Sequence, residues 1–195
     1  MTQRVIQSGP APTVIVRAGG TVQVQGHAID HVVAEALDRW GMQVRRRGAT
    51  IEVSIGRSGE LQVPAGSSVT VYAGQSAGLR DVGGAVAVYA GGEAHLRGVG
   101  ALAHAAAGGS LAIECQQLAK GDLRCTAGGD LRLQVADLTD ARLMVNDLGG
   151  YWEARIGDGR VSVRLTAGGD VTLVTDQEVR AVPPDFMLGK IERPQ

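Results

Sequence analysis

Aromatic side chains are scarce in this chain of 195 residues, which holds one Phe, two Trp and three Tyr. Without clustered rings it lacks the stacking platform of a single-strand nucleic-acid binder. Cysteine is also rare. Cys115 and Cys125 are too few for a disulfide scaffold and lack zinc-ligand spacing. Each shares the inward parity of its strand, so both are read as buried free thiols that behave as small hydrophobes. An excess of charge of one sign is missing: 19 Lys+Arg oppose 20 Asp+Glu, a net charge of −1. No global field therefore draws the chain to nucleic acid or to an anionic membrane. No run approaches the roughly 18 apolar residues of a membrane-spanning helix. Met1 to Val16 shows no basic stretch followed by an apolar run, so no secretory leader is read and a cytoplasmic location is the expectation.

Motifs that carry chemistry are missing too. His27, His31, His95 and His104 have no HExxH-like spacing and are read as solvated or turn residues. No GxxxxGK[ST] or GxGxxG opens a helix after a strand, and no tandem calcium-binding nonapeptide occurs. The expectation is a non-enzymatic protein with no catalytic residue, no metal ligand and no cofactor.

Glycine, by contrast, is abundant: 29 residues, about twice the roughly 7% of average proteins. The string Ala-Gly-Gly followed by alternating apolar residues recurs from Ala18, Ala90, Ala107, Ala127 and Ala167, with a degenerate copy from Leu148. From Gly91 the first glycine of each pair falls at 108, 128, 149 and 168, steps of 17, 20, 21 and 19 residues. Each period holds two strand-like runs around a glycine corner. Alternation with period two sends Leu131, Leu133 and Val135 to one face and Arg132 and Gln134 to the other. Val161, Val163 and Leu165 oppose Ser162 and Arg164 in the same way. The glycine pair is expected to supply positive φ at a tight corner. In the degenerate copy Trp152 stands at an inward place and Ala154 follows, large beside small. Two short strands cannot close a core alone, but stacked units can. The fold class expected is all-β: a β-solenoid of about five glycine-cornered turns.

Before the repeats, residues 1–12 read as a flexible lead-in and 13–68 as an irregular β region. Met42 to Arg46 and Thr50 to Ile55 form a hairpin pattern through Arg47-Gly48, and the Arg45-Arg46-Arg47 run reads as its solvated end. Val32 to Arg39 fits either a helix or a strand. Residues 69–182 carry the repeats. Pro183-Pro184 then ends strand pairing, leaving a tail, 183–195, with the one Phe of the chain. That tail either caps the last turn or docks on a neighbouring subunit, with Phe186, Met187, Leu188 and Ile191 as contacts. Outward arginines, Arg132, Arg155 and Arg164 among them, interspersed with acidic residues, offer a face for another protein.

The segment GELQVPAGSSVTVYAG, with the later GDLRC, GGDLRL and GGDVTL, resembles the putative-adhesin family of bacterial β-solenoids. The resemblance spans roughly Thr13 to Val174 and implies a β-solenoid fold and, more weakly, surface recognition. The architecture is also similar to that of bactofilin. Two functions follow as expectations. The first is a structural scaffold that self-assembles, as a homo-oligomer or filament, through the ends or faces of the stack. The alternative is an adhesin-like recognition module that binds a protein or glycan through its charged strand face.

Overall fold

The computed structural model describes residues 2–37, 41–118, 123–137, 141–147, 150–156, 158, 160–175, 178, 180–181 and 190–192. Regular structure among them is entirely β, twenty strands in one hydrogen-bonded sheet. The chain opens with β1 (Thr2–Gln7), β2 (Thr13–Ala18), β3 (Val22–His27) and β4 (His31–Ala36). A hairpin follows, β5 (Met42–Arg47) and β6 (Thr50–Ile55), and then β7 (Gly59–Pro64). The repeating part begins with β8 (Ser68–Ala73), β9 (Ala77–Arg80), β10 (Ala85–Ala90) and β11 (Ala94–Ala107). It continues with β12 (Leu111–Leu118), β13 (Leu123–Ala127) and β14 (Leu131–Asp137). Last come β15 (Ala141–Asp147), β16 (Gly150–Ile156), β17 (Val161–Ala167), β18 (Val171–Val174), β19 (Arg180–Ala181) and β20 (Lys190–Glu192).

These strands build two parallel ladders. The first runs β6, β2, β8, β10, the C-terminal half of β11, β13, β17 and β15. The second runs β7, β3, β9, the N-terminal half of β11, β12, β14, β18 and β20. Antiparallel strands flank them: β5 lies beside β6, β4 and then β1 beside β7, and β16 and then β19 beside β15. Val32 to Ala36 is thus strand, and the hairpin through Arg47-Gly48 is present, with Gly48 at φ 62°.

Register turns the alternation of the sequence into columns. In the first ladder Val16, Val71, Val88, Ala105, Cys125 and Leu165 stand one above another, all buried. In the second the column is Val24, Leu79, Leu96, Ile113, Leu133 and Leu173, also buried. Each valine, leucine or isoleucine in these columns contributes about 1.5–3 kcal/mol relative to exposure. The two columns belong to one continuous apolar core.

The Ala-Gly corners work differently from the expectation. Gly19, Gly74, Gly91, Gly108, Gly128 and Gly168 form a ladder in which each N–H donates to the alanine carbonyl of the rung before it, or to Ile55 in the case of Gly19; for Gly91 to Ala73 the distance is 2.9 Å. None of the six has positive φ. A Cβ at any of them would press into the carbonyl oxygen of the preceding glycine of the ladder, or of Gly56 for Gly19. Close approach of rungs, not a left-handed backbone, selects glycine here. In the repeating part positive φ occurs instead just after β9, at Asp81 (57°), and at the bulge within β11, at Gly98 (63°).

Two further departures concern the ends. The degenerate copy near Leu148 is not another rung. β16 runs antiparallel to β15, with Ala154 buried as its parity predicts; the Trp152 side chain lies outside the described residues. At the other end β2 and β3 are interleaved between strands that follow them in sequence, β6 and β8 in the first ladder, β7 and β9 in the second.

Candidate functional site

With the apolar side chains turned inward, recognition falls to the outward columns. On the second ladder one outward column reads Glu60, Gln23, Gly78, His95, Ala112 and Arg132. The next reads Gln62, Gln25, Arg80 and Arg97, with Glu114 and Gln134 continuing it across the bulge in β11. The small residues Gly78 and Ala112 leave notches in the first column, and these open into a hollow of about 440 Å³. A second hollow of about 240 Å³ lies under Gln3 of β1 and Glu35 of β4. The two share Gln23 and Arg80 in their linings and so adjoin on one face, a polar groove in two parts. From β7 to β14 it crosses six strands, about 24 Å at roughly 4.8 Å per spacing.

Amides and charges dominate the lining of the groove. Gln3, Gln23, Gln25, Gln62 and Gln134 line it, and each amide both donates and accepts. Arg97 pairs with Glu114 at 3.5 Å, and Arg132 Nη1 donates to Glu192 Oε2 at 2.7 Å. Arg80 has neither an ion pair nor a side-chain hydrogen bond among the described residues. A Cβ at Gly78 would meet the Gln23 amide, so glycine there lets Gln23 lie across the floor.

The first ladder carries two other features. Tyr72 and Tyr89 stack with centroids 5.0 Å apart, His104 tilts against Tyr89 at 4.8 Å, and the Arg17 guanidinium covers Tyr72 at 5.2 Å. His104 is therefore a half-buried member of a stack rather than a solvated or turn residue; burial, reinforced by Arg124, holds its pKa below the ordinary value. Beside the stack runs a shallow trough of about 890 Å³ floored by alanines and glycines of the corner ladder. Both faces of Tyr72 and of Tyr89 already have a neighbour, so the trough, though the larger hollow, offers few free ring faces to a ligand. Further along, Arg124 and Arg164 occupy one outward column, and Arg142 stands opposite Arg155. Tyr151 donates a hydrogen bond to Glu153, and Arg142 pairs with the same carboxylate at 3.0 Å.

The three arginines singled out from sequence are thus divided. Arg164 sits on the first ladder, Arg155 on the antiparallel β16 that flanks it, and Arg132 in the groove of the second, all exposed. Of the tail contacts, Ile191 is half-buried in β20 opposite Leu173, while Phe186, Met187 and Leu188 lie outside the described residues. The groove residues other than Arg132 were missed, because their neighbours lie far apart in sequence. The tyrosines left a signal: Arg17, Tyr72 and Tyr89 each precede an Ala-Gly pair. Both cysteines are buried and free, and burial pushes the Cys115 thiol up to about 12 and that of Cys125 higher still. Among the described residues no group of His, Cys, Asp and Glu is placed to hold a metal ion.

The family model of the haemagglutinin repeat matches residues 7–39, 58–135 and 146–177, more than two thirds of the chain. The chain belongs to the haemagglutinin-repeat family. As a haemagglutinin-repeat protein it is corrected on one point, the cytoplasmic location, since the family points to a secreted or surface-exposed protein. The expectation had rested on the lack of a basic stretch followed by an apolar run in Met1 to Val16, which does not report on compartment. The haemagglutinin-repeat match supports the likeness to adhesins and does not test that to bactofilin. No curated protein matches the haemagglutinin-repeat chain significantly. Among solved structures it is similar to a protein of Clostridium sporogenes ATCC 15579 described as a putative cell adhesion protein, at 10% identity and a TM-score of 0.43, over 99% of each chain.

Proposed function

We propose that this chain is an adhesin-like recognition module without catalytic activity, secreted or displayed at a surface, whose two ladders are sides of a β-solenoid. Its ligand lies against the outer face of the second ladder. One observation carries the reading of recognition: the haemagglutinin repeat covers strands of both ladders, among them β3, β7, β9, β11 and β12, which present the groove. Side chains on paired strands are held in fixed register, which is what a recognition surface requires.

Self-assembly by stacking of rungs is the weaker reading. The outermost rungs of the N-terminal end meet antiparallel strands, β5 on one ladder and β4 with β1 on the other, instead of presenting a parallel edge. The three consecutive arginines of β5 lie on such a flank, where charge discourages further pairing.

Beads coated with the protein are expected to retain cells that carry an intact surface glycan coat, across a panel of cell types under flow. Gly78→Leu fills the groove and displaces only a flexible amide, so its coat is expected to lose retention while its unfolding midpoint stays near wild type. Equal retention by both coats would move the ligand off the groove. Retention no better than bare beads across the whole panel would refute adhesion.

A further inference from the structure

We infer that the groove of the second ladder takes an extended, uncharged glycan that lies along the stacking direction, across the strands. The inference rests on the recognition role proposed above and adds the class of ligand.

The orientation follows from the hydrogen bonding. β3, β9, β11, β12 and β14 are each paired on both sides, and β7 lies between β3 and β4. No main-chain edge is free within the groove, so an extended peptide finds no strand to join. Recognition is left to side chains that repeat once per rung. The rung spacing of about 4.8 Å is close to the advance of one pyranose in an extended chain, so successive sugars meet successive rungs.

Chemistry fixes the class. Five glutamines line the two hollows, and a hydroxyl, like an amide, both donates and accepts. The formal charges cancel: Arg80, Arg97 and Arg132 stand against Glu35, Glu60 and Glu114. A polyanion would meet the carboxylates of Glu35 and Glu60 at one end, and a polycation would meet the arginines at the other. Leu61, Leu79, Leu96 and Ile113 border the hollows but are buried, and His95 is the one ring in their linings, so a peptide side chain finds little exposed apolar surface to anchor on. A neutral, hydroxyl-rich chain satisfies both halves.

The test is calorimetric titration of the full chain with soluble hexamers of three kinds: linear uncharged glycans, uronate glycans, and an uncharged peptide. Uncharged glycans are expected to bind, more tightly with each added sugar until the groove is filled, and with little dependence on salt. Gly78→Leu, and separately the pair Gln25→Ala with Gln62→Ala, should weaken binding by about tenfold or more, the worth of one or two hydrogen bonds. Arg155→Glu with Arg164→Glu should leave it unchanged. Preference for the uronate hexamer, with steep salt dependence and loss in the Arg155/Arg164 variant, would overturn the inference and assign the ligand to the basic columns of the first ladder. Preference for the peptide would overturn it as well. If no glycan binds while coated beads still retain cells, the ligand class is wrong and the recognition role stands; if retention fails too, both fall.

Discussion

Replacing Gly91 by alanine adds one methyl group where two rungs touch. The new Cβ would press against the carbonyl oxygen of Gly74, a backbone atom fixed by its own ladder. Relief requires β8 and β10 to part at the corner, where Ala90 pairs with Ala73 and the Gly91 N–H donates to Ala73 at 2.9 Å. Overpacking of this kind costs about 1–3 kcal/mol. Loss of the corner hydrogen bond adds about 0.5–1.5 kcal/mol. Reduced freedom of the unfolded chain returns about 0.4–1 kcal/mol. The net expectation is a destabilisation of about 2–3 kcal/mol, or roughly 4–12 °C in Tm at about 2–4 °C per kcal/mol for a chain of this size. Gly78→Ala is the matched control. Its Cβ meets only the tip of the Gln23 side chain, so the same change is expected to be neutral or to stabilise by up to about 1 kcal/mol. Urea unfolding followed by far-UV circular dichroism separates the two. Equal midpoints for both variants would refute the argument that close approach selects glycine at the corners.

Three other outcomes are expected. In a double-mutant cycle of Tyr72→Ala and Tyr89→Ala, the stacked pair should show a coupling of about 0.5–1.5 kcal/mol, read from unfolding midpoints; additive losses would show that the stack contributes nothing beyond burial. Because the His104 pKa is lowered on folding, the unfolded chain binds a proton first as pH falls, so stability is full above about 6.5 and declines below it. A pH series of midpoints for wild type and His104→Asn tests this, and the variant should decline less. Cys115 and Cys125, with thiols raised by burial, should resist iodoacetamide at pH 8 in the native state and react on unfolding; equal rates in the two states would contradict their burial.

Inward residues were legible because a strand alternates with period two and the repeat has one phase. Leu131 and Leu133 are buried, Arg132 between them is exposed, and the parity of Cys115 and Cys125 is inward. The corners were legible as corners, but their cause was not. A glycine chosen for positive φ and one chosen because a carbonyl lies against it look alike in sequence, and only the second holds for Gly91 and its neighbours. Ala73-Gly74-Gln75 is a corner as well, missed because the repeat string demanded two glycines. The groove was hidden for a different reason. Gln23 and Gly78 stand side by side across 55 residues of sequence, and nothing local marks either as exposed to a common ligand. Strand order at the two ends was equally unreadable, since alternation constrains faces and not neighbours.

The interleaving of β2 and β3 bears on how the chain acquires its shape as it emerges from synthesis. The first long strands to appear must wait for partners that follow them by tens of residues, Thr50–Ile55 on one side and Ser68–Ala73 on the other. Closing those loops costs entropy before the contacts of β2 and β3 repay it, whereas the β5–β6 hairpin pairs locally. The docking of β2 and β3 is thus expected to be the slow step. Once residues up to Arg80 have docked, the regime changes: β10 needs only β8, and the next strands need only the rung just laid down. A slow beginning and an incremental middle are therefore expected, a division set by the order in which the strands become neighbours.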